Sequence, residues 1–370
     1  MINFRLEERA KSPYWLIILS PFIAILVAII LAGILIVLAG ANPFESYYQL
    51  IIGAFGSKNS FAETLARATP IILTGLAASI AFRAKFWNIG AEGQLYFGAL
   101  ATTFFGTGLV VLPSTLMIPF LFIMGALAGG LLLLPLVLLK LYYKVDEVVT
   151  TLLLNFVVVL LVSYLLEGPW KDPMSLGWPQ GKSVIDEGVL PQVLSKTRLH
   201  LGFIISIFLA FSIWFILKKT VIGYRIKSVG LNAAAASHAG IPIFKTVLVV
   251  AILSGGMAGI AGVTETAGLK GYLTLDLSPG FGYAGIAVAM LANLNPMGVI
   301  FSGIFLASIY VGADAMSRAM NVPTYLADVI VALTVLCILL SLVFVHYRIC
   351  LLYTSPSPRD RQKSRIPSCA

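Results

Sequence analysis

A run of residues without a single charge near the amino terminus, Trp15–Gly40, constrains this chain more than any other feature. An α-helix needs about 20 apolar residues to cross the roughly 30 Å hydrocarbon layer of a bilayer. The run exceeds that length, is longer than the apolar region of a secretory signal peptide, and lacks a convincing cleavage site. It therefore predicts a membrane anchor that is retained in the mature protein.

Similar apolar runs recur along the rest of the chain. Of 370 residues, 59% are hydrophobic and 11% are charged, whereas a soluble domain carries about 25% charged residues. So few polar groups could not cover a water-exposed surface. We predict an all-α fold, a polytopic transmembrane helical bundle of about ten spans, within a range of roughly eight to ten. The later spans are Thr69–Ala84, Gln94–Leu112, Leu116–Leu139, Val148–Leu166, Leu201–Leu217, Thr246–Val263, Phe281–Leu294, Met297–Ala313 and Leu326–Val345.

The basic residues indicate how the predicted spans are oriented. With ten spans both termini lie on one side, and the segments on that side carry more Lys and Arg than the segments opposite. Because cytoplasmic segments are enriched in positive charge, both termini are predicted to be cytoplasmic and the long loop Glu167–His200 to be extracytoplasmic. The net charge of +9 does not indicate a nucleic-acid partner, since the basic residues form no single patch.

The end of the chain departs abruptly from the apolar pattern. From Cys350 the sequence is polar and basic, CLLYTSPSPRDRQKSRIPSCA. Its first part, CLLYTSPSPRD, resembles the read-through translation of a transposon-based sequencing adaptor, and an ordinary disordered tail is the alternative. We therefore assign residues 1–349 to one transmembrane domain and residues 350–370 to a non-native or disordered tail, to which we assign no function.

Two apolar regions contain polar side chains that are costly in hydrocarbon. Phe86–Gln94, FWNIGAEGQ, places Asn88, Glu92 and Gln94 between two apolar runs, and its glycines weaken a continuous helix. It is either a broken helix that points backbone dipoles and polar side chains at a solute, or a capped cytoplasmic turn with Glu92 paired to a base. Asn155 lies in an otherwise apolar span, so its amide should face the protein interior, where it lines a pathway or joins helices.

A short cytoplasmic helix is predicted within Gly223–Thr246. Asn232 is suited to cap its first turn, Ala233–Ala239 has high helical propensity, and Gly240 suits the position after its end. Two turns measure roughly 10 Å, which is too short to span a bilayer. Because small alanine side chains let another surface approach closely, the segment is either a docking helix or a linker helix.

The sequence contains no recognisable set of catalytic residues. Gly177–Ser183, GWPQGKS, has one residue too few between its glycines for a phosphate-binding loop. The histidines and cysteines lack metal-ligand spacing, which predicts no metal site. Asp314, Asp328 and Glu265 lie near predicted span ends, where water would solvate them. If the protein moves a solute uphill, the energy must come from an ion gradient or from another polypeptide.

Five motifs in order along the chain resemble the permease subunits of bacterial ATP-binding-cassette (ABC) importers. The resemblance is to the branch that transports nucleosides and simple sugars with basic-membrane-protein-type lipoprotein receptors, and it extends from about Ser12 to Arg348. NIGAEGQ distinguishes this branch from the branched-chain amino-acid permeases. The motifs are FWNIGAEGQLYFGA (Phe86–Ala99), DEVVTTLLLNF (Asp146–Phe156), VGLNAAAASHAGI (Val229–Ile241), SGGMAGIAGV (Ser254–Val263) and GFGYAGIAVAMLANLNPMG (Gly280–Gly298).

This resemblance implies a role and a set of partners. The chain would form the solute pathway of an importer that works by alternating access, and it would not itself be an enzyme. It would bind no cofactor, because ATP and Mg²⁺ belong to a separate ABC ATPase subunit. Its other partners would be a second permease subunit, identical or related, an extracytoplasmic substrate-binding lipoprotein, and membrane lipid. Its location would be the bacterial cytoplasmic membrane.

The resemblance also selects candidate functional residues. It makes Asn88, Glu92 and Gln94 candidates for the solute pathway, together with Asn155. It identifies Val229–Ile241 with the coupling helix that docks on the ATPase, although alanines replace the family's usual acidic or bulky residues here. The coupling candidates are Gly230, Asn232, Ala235, Ala236 and Gly240. From the residues alone, an ion-coupled secondary transporter of a small polar solute is the alternative, and it would require carboxylates or an ion site within the membrane.

Overall fold

The computed structural model describes residues 3–8 and 13–352, in which the regular structure is helical apart from one pair of short strands. A π-helical segment, Thr264–Lys270, continues α10. The strands are β1 (Asn3–Glu8) and β2 (Tyr347–Leu352). The helices are α1 (Tyr14–Leu38), α2 (Pro43–Phe55), α3 (Lys58–Arg83), α4 (Ala91–Gly106), α5 (Ser114–Tyr143), α6 (Glu147–Glu167), α7 (Gly202–Lys219), α8 (Val221–Leu231), α9 (Ala233–His238), α10 (Ile243–Val263), α11 (Phe281–Leu291), α12 (Pro296–Met320) and α13 (Thr324–His346).

The chain divides into two compact units, residues 36–331 and residues 1–35 with 332–370. In the second of these, β1 pairs antiparallel with β2, with Asn3 opposite Leu352. This strand pair includes Cys350, the first residue of the expected tail. Residues 353–370, the rest of that tail, lie outside the described residues.

The predicted all-α, polytopic fold is confirmed, but the predicted count of ten spans is not. Seven helices in the described chain are long and apolar enough to cross a membrane, and a pair bent by 116°, Phe22–Leu38 with Pro43–Phe55, could supply an eighth. Two predicted spans correspond to α4 and α11, which have 16 and 11 residues. At 1.5 Å per residue they measure about 24 and about 17 Å, less than the hydrocarbon thickness. The sequence analysis did not predict α2.

Close helix packing surrounds α10, which is largely buried together with α3. A Cβ atom built on Gly255 would lie 2.4 Å from the carbonyl oxygen of Gly129 in α5, and one built on Gly259 would lie 2.1 Å from that of Gly125. Such contacts require glycine, because only a missing side chain lets two helix backbones approach this closely. By contrast, α6 and α7 expose large apolar side chains such as Leu160 and Phe208, as lipid-facing helices do.

Both short helices begin inside the bundle and point in opposite directions. After α3 ends, residues 84–90 turn back into the bundle before α4 begins, and residues 271–280 do the same before α11. The far end of α4 reaches the long loop, where the carbonyl of Gly106 accepts a hydrogen bond from Ile185 N–H (2.8 Å). The far end of α11 reaches the last turn of α3, where Arg83 Nε donates to the carbonyl of Leu294 (2.9 Å). The amino termini of two half-helices therefore face each other within the protein.

We predict that Gly255→Ala destabilises the bundle more than Gly256→Ala, its neighbour in the same helix. The added methyl group would meet the Gly129 carbonyl oxygen at 2.4 Å, whereas the nearest atom to a Cβ at position 256 is 3.3 Å away. Overpacking of this kind costs about 1–3 kcal/mol. Thermal unfolding of the detergent-solubilised variants measures the difference, and equal stabilities would contradict the close packing of α5 on α10.

Candidate functional site

The amino termini of α4 and α11 meet at Glu92 and Gly282. The Glu92 carboxylate accepts a hydrogen bond from the backbone N–H of Gly282 through Oε2 (2.6 Å). A Cβ on Gly282 would lie 2.3 Å from the Glu92 backbone nitrogen, so the two helix ends are in direct contact. Each helix start carries free N–H groups and a partial positive charge. One carboxylate therefore offsets the charge of both helix ends.

A pair of side-chain amides holds the segment that leads into α4. Asn88 Nδ2 donates to Gln94 Oε1, and Gln94 Nε2 donates in return to Asn88 Oδ1, each at 3.0 Å. Asn88 also donates to Ser254 Oγ in α10 (3.0 Å), whose hydroxyl donates to the carbonyl of Ala77 in α3 (2.8 Å). Gly90 N–H donates to Asn88 Oδ1 (3.0 Å). Residues 84–90, the segment that enters the bundle before α4, are thereby attached to the two central helices, α3 and α10.

Asn155 joins the junction from α6. Its Oδ1 accepts from Gly93 N–H in the first turn of α4 (2.8 Å). Its Nδ2 donates to the carbonyl of Ile89 and to the hydroxyl of Tyr283 in α11, each at 3.0 Å. One amide thus connects residues 84–90, both half-helices and α6, through one buried and two partly buried hydrogen bonds.

The four residues selected for the solute pathway lie together at this junction. Asn88, Glu92, Gln94 and Asn155 are each at most 5% exposed. The partner of Glu92 is a backbone N–H rather than a base, so the geometry is that of a broken helix and not of a capped surface turn. In this conformation the four side chains fix the half-helices, and none of them lines the neighbouring cavity.

A cavity of about 980 Å³ lies between the junction and the long loop. The cavity is lined by Trp178 of the long loop, Arg67 of α3, Glu265 of the π-helical segment and Tyr272 of residues 271–280, the segment that leads into α11. Phe281, the first residue of α11, lines it as well, so the cavity reaches the half-helix junction. Its volume is within the range of small-molecule sites, about 300–1,000 Å³.

The position of Glu265 differs from the expectation that water solvates it at a span end. Glu265 is 1% exposed, and its carboxylate Oε1 has no hydrogen-bond partner among the described residues. Arg67 also lines the cavity. One of its terminal nitrogens donates to Asp314 (3.3 Å), whereas its buried Nε has no hydrogen-bond partner among the residues that the structure describes. Glu265 is enclosed because the long loop packs on the π-helical segment, with Leu190 N–H bonded to the Ala267 carbonyl (2.9 Å).

The other ionic groups around the cavity are paired. Glu63 lies 3.5 Å from Arg198, and Lys270 lies 3.2 Å from Asp276. The ammonium group of Lys270 also donates to the carbonyl of Asp276 (2.5 Å) and to the hydroxyl of Thr274 (3.3 Å). These pairs are partly exposed, so each contributes little to stability.

The predicted coupling segment lies at the opposite end of α3 from the cavity. Asn232 caps α9 by accepting from Ala235 N–H (3.1 Å), and Gly240 takes a left-handed conformation (φ +78°) after the helix. Gly230 is in contact with α3, since a Cβ there would lie 1.8 Å from the carbonyl oxygen of Arg83. Within α9 only Ala236 is buried, and the other side chains, including that of Ala235, are exposed.

His200 is a buried histidine that the sequence analysis did not assign to any site. It is 1% exposed, its Nδ1 accepts from Gly202 N–H (3.2 Å), and its Nε2 has no partner among the described residues. A Cβ on Gly268 of the π-helical segment would lie 2.7 Å from the imidazole ring. Burial disfavours the charged ring and lowers the pKa of His200 to about 4.

Several residues of the site were absent from the sequence-based candidates. Ser254 and Tyr283 belong to two of the quoted motifs, where a polar residue beside several glycines was the available signal. Arg67 and Glu265 gave no such signal, because each resembles an ordinary charge near the end of a span. The cavity between them depends on the fold of the long loop.

Half-helices that meet inside an apolar bundle, next to a polar cavity, define a membrane transport protein. Residues 60–339 match the family described as "Branched-chain amino acid transport system / permease component". The chain belongs to this family of transport permeases, and its identification as an ABC importer permease is confirmed.

Curated relatives cover nearly the whole chain. The glucose ABC transporter permease protein TsgB13 of Haloferax volcanii is 31% identical over 94% of this chain and 94% of its own length. The guanosine ABC transporter permease protein NupP of Bacillus subtilis is 32% identical over 86% of this chain and 92% of its own. The nucleoside ABC transporter permease protein NupB of Lactococcus lactis is 28% identical over 85% and 88%, respectively.

We predict that Asn155→Leu destabilises the protein by about 2–3 kcal/mol, because it removes three hydrogen bonds and leaves the buried Gly93 N–H without a partner. Tyr283→Phe removes only one of the hydrogen bonds that Asn155 makes and should cost about 1 kcal/mol. Thermal unfolding in detergent compares the two variants. A larger effect of Tyr283→Phe would contradict the central position of the Asn155 amide.

We predict that His200 makes the protein less stable as the pH falls from 6.5 to about 4. In this window the unfolded chain binds a proton at His200 that the folded protein does not, because the folded pKa is about 4. The free energy of unfolding then falls by about 1.4 kcal/mol for each pH unit. Melting temperatures of the wild type and His200→Gln, compared across this range, measure the effect. His238→Gln, which changes an exposed histidine, is the matched control and should behave as the wild type.

Proposed function

We propose that this permease is one of two transmembrane subunits of an ATP-driven importer for nucleosides or simple sugars. One observation carries the proposal: a polar cavity of about 980 Å³ that ends at the junction of two half-helices. Cavities at such junctions hold polar solutes, because helix amino termini and polar side chains replace water there. The relatives named for glucose, guanosine and nucleosides support this class of solute.

The exposed helix α9 supports coupling to a separate ABC ATPase subunit, which would hold the ATP and the Mg²⁺. Apart from Ala236 its side chains contact little in this chain, although Asn232 and Gly240 shape both of its ends. A surface of small side chains on a firmly capped helix suits a groove in another protein. Gly230 fixes α8, which leads into α9, against the end of α3, and movement of α9 can therefore reach the helix whose other end lines the cavity.

The arrangement in the membrane is part of the same proposal. Counting α1 and both half-helices with the seven spans gives the ten segments expected from the sequence, and the pairing of β1 with β2 supports both termini lying on one side. We place the termini and α9 in the cytoplasm of a bacterial cell, and the cavity on the outer side of the cytoplasmic membrane. A substrate-binding lipoprotein would deliver the solute there. Residues 1–349 form the functional domain.

The four junction residues would act in alternating access. Asn88, Glu92, Gln94 and Asn155 hold the half-helices together in the described conformation, so solute passage requires the junction to rearrange. ATP binding to the partner ATPase would favour the rearranged state. The size of this shift equals the difference between the free energies with which ATP binds the two states. In that state the polar groups of the junction become available to the solute.

An ion-coupled secondary transporter is the second candidate, and the buried carboxylate of Glu265 favours it. The two mechanisms differ in their source of energy. Uptake by cells that express the permease with its ATPase should survive a proton uncoupler and stop when ATP is depleted. The reverse pattern would show that an ion gradient, rather than ATP, drives uptake by this permease.

We predict that Gly240→Val and Ala235→Trp uncouple ATP hydrolysis from uptake. Valine is strained at φ +78°, and tryptophan obstructs the face of α9 that should enter the ATPase. Uptake by the reconstituted complex should fall at least tenfold while basal ATPase activity persists. Gly177→Val is the matched control, because Gly177 also has a positive φ (+99°) and open surroundings but lies in the long loop. Full transport by both α9 variants would contradict the role of this helix.

A further inference from the structure

Two buried polar atoms of opposite charge face the same cavity without partners. Glu265 Oε1 and Arg67 Nε are both enclosed, and neither has a hydrogen bond among the described residues. Both residues line the cavity of about 980 Å³. A buried polar group without a partner costs about 1–3 kcal/mol, so a solute in this cavity that formed hydrogen bonds with both atoms would be stabilised there.

The backbone that carries Glu265 is unusual as well. Thr264–Lys270 is a π-helical continuation of α10. Such segments are rare and occur frequently at functional sites, because one additional residue changes the direction in which the following side chains point. Here the irregular turn contains the enclosed Glu265 carboxylate, and Lys270 at its end pairs with Asp276.

The remaining charges of the cavity are already engaged, which selects these two groups. Glu63 pairs with Arg198, and Arg67 itself uses a terminal nitrogen for Asp314, leaving its Nε available. The aromatic rings of Trp178, Tyr272 and Phe281 line the same space. Aromatic faces suit the C–H surface of a sugar or the face of a nucleobase.

We propose that Glu265 and Arg67 form a subsite that binds the vicinal diol of the solute. A hydroxyl group both donates and accepts, whereas a carboxylate only accepts and a guanidinium only donates. One hydroxyl can therefore donate to Glu265 Oε1 while its neighbour accepts from Arg67 Nε. The ribose of a nucleoside and the ring of a hexose share this chemistry. The inference rests on the proposed import of nucleosides or sugars and names the residues that select among them.

The test is uptake by the intact transporter, with permease, ATPase and lipoprotein receptor together in proteoliposomes. The probes are guanosine with 2′,3′-dideoxyguanosine, and glucose with 2,3-dideoxyglucose, because each deoxygenated probe lacks any vicinal pair of hydroxyl groups. Each pair gives an uptake ratio that measures preference for the diol. Because the receptor is the same in every sample, a changed ratio between wild type and variant originates in the permease.

Glu265→Gln and Arg67→Gln should each lower uptake of the diol probe about tenfold and bring its ratio close to one, since a charge-assisted hydrogen bond is lost. Glu63→Gln and Arg198→Gln, which change the paired charges of the same cavity, should keep the wild-type ratio. A change confined to the guanosine pair identifies ribose as the source of the diol, and a change confined to the glucose pair identifies a hexose.

The outcomes separate this inference from the proposed function. If the wild-type transporter takes up neither guanosine nor glucose, the proposed function fails and the inference fails with it. If the wild type takes up either probe and both variants keep its diol preference, only the inference is overturned. Should Glu265→Gln fail to assemble, Arg67→Gln decides alone, with its melting temperature in detergent as the test of folding.

Discussion

The structure depends on satisfying the free backbone N–H groups where α4 and α11 begin inside the bundle. In hydrocarbon no water is available to these groups, so irregular backbone persists only where protein atoms replace the water. Gly282 N–H is satisfied by the Glu92 carboxylate, and Gly93 N–H by the Asn155 amide. These bonds stabilise the two segments, residues 84–90 and 271–280, that turn back into the bundle. They also hold together the half-helix junction that the cavity reaches.

Close packing at glycines and the hydrogen bonds of the half-helix junction together allow polar groups to be buried inside a membrane protein. The contacts of Gly255 and Gly259 with α5 bring the central helices close enough to exclude lipid from the interior. Inside that enclosure, polar groups that would be costly in hydrocarbon can be grouped at one place and bonded to each other. The junction is also in contact with the cavity through Phe281, so a change in one can alter the other.

The two ends of α3 contact different sites, the cavity and the segment next to α9. This arrangement suits a transporter whose energy is supplied by another protein. The amino-terminal part of this helix contributes Glu63 and Arg67 to the cavity, and its last residue, Arg83, is in contact with Gly230 next to α9. A rigid helix between two sites can transmit a displacement if each site has two discrete arrangements. The half-helix junction beside α3 is the element whose bonds would have to rearrange.

Hydropathy and residue propensities determined the helical class, the membrane location, the interruption between two apolar runs at FWNIGAEGQ and the capped helix that begins after Asn232, because all of these are local properties of the chain. They did not decide whether FWNIGAEGQ is a broken helix or a capped turn. Tertiary structure alone decided that two predicted spans are half-helices, that Glu265 is enclosed, and that it shares a cavity with Arg67. The physical reason is that these features arise from contacts between distant residues, such as the bond between Glu92 and Gly282, 190 positions apart. A buried group and a solvated group look alike in the sequence until the elements that cover them are in place.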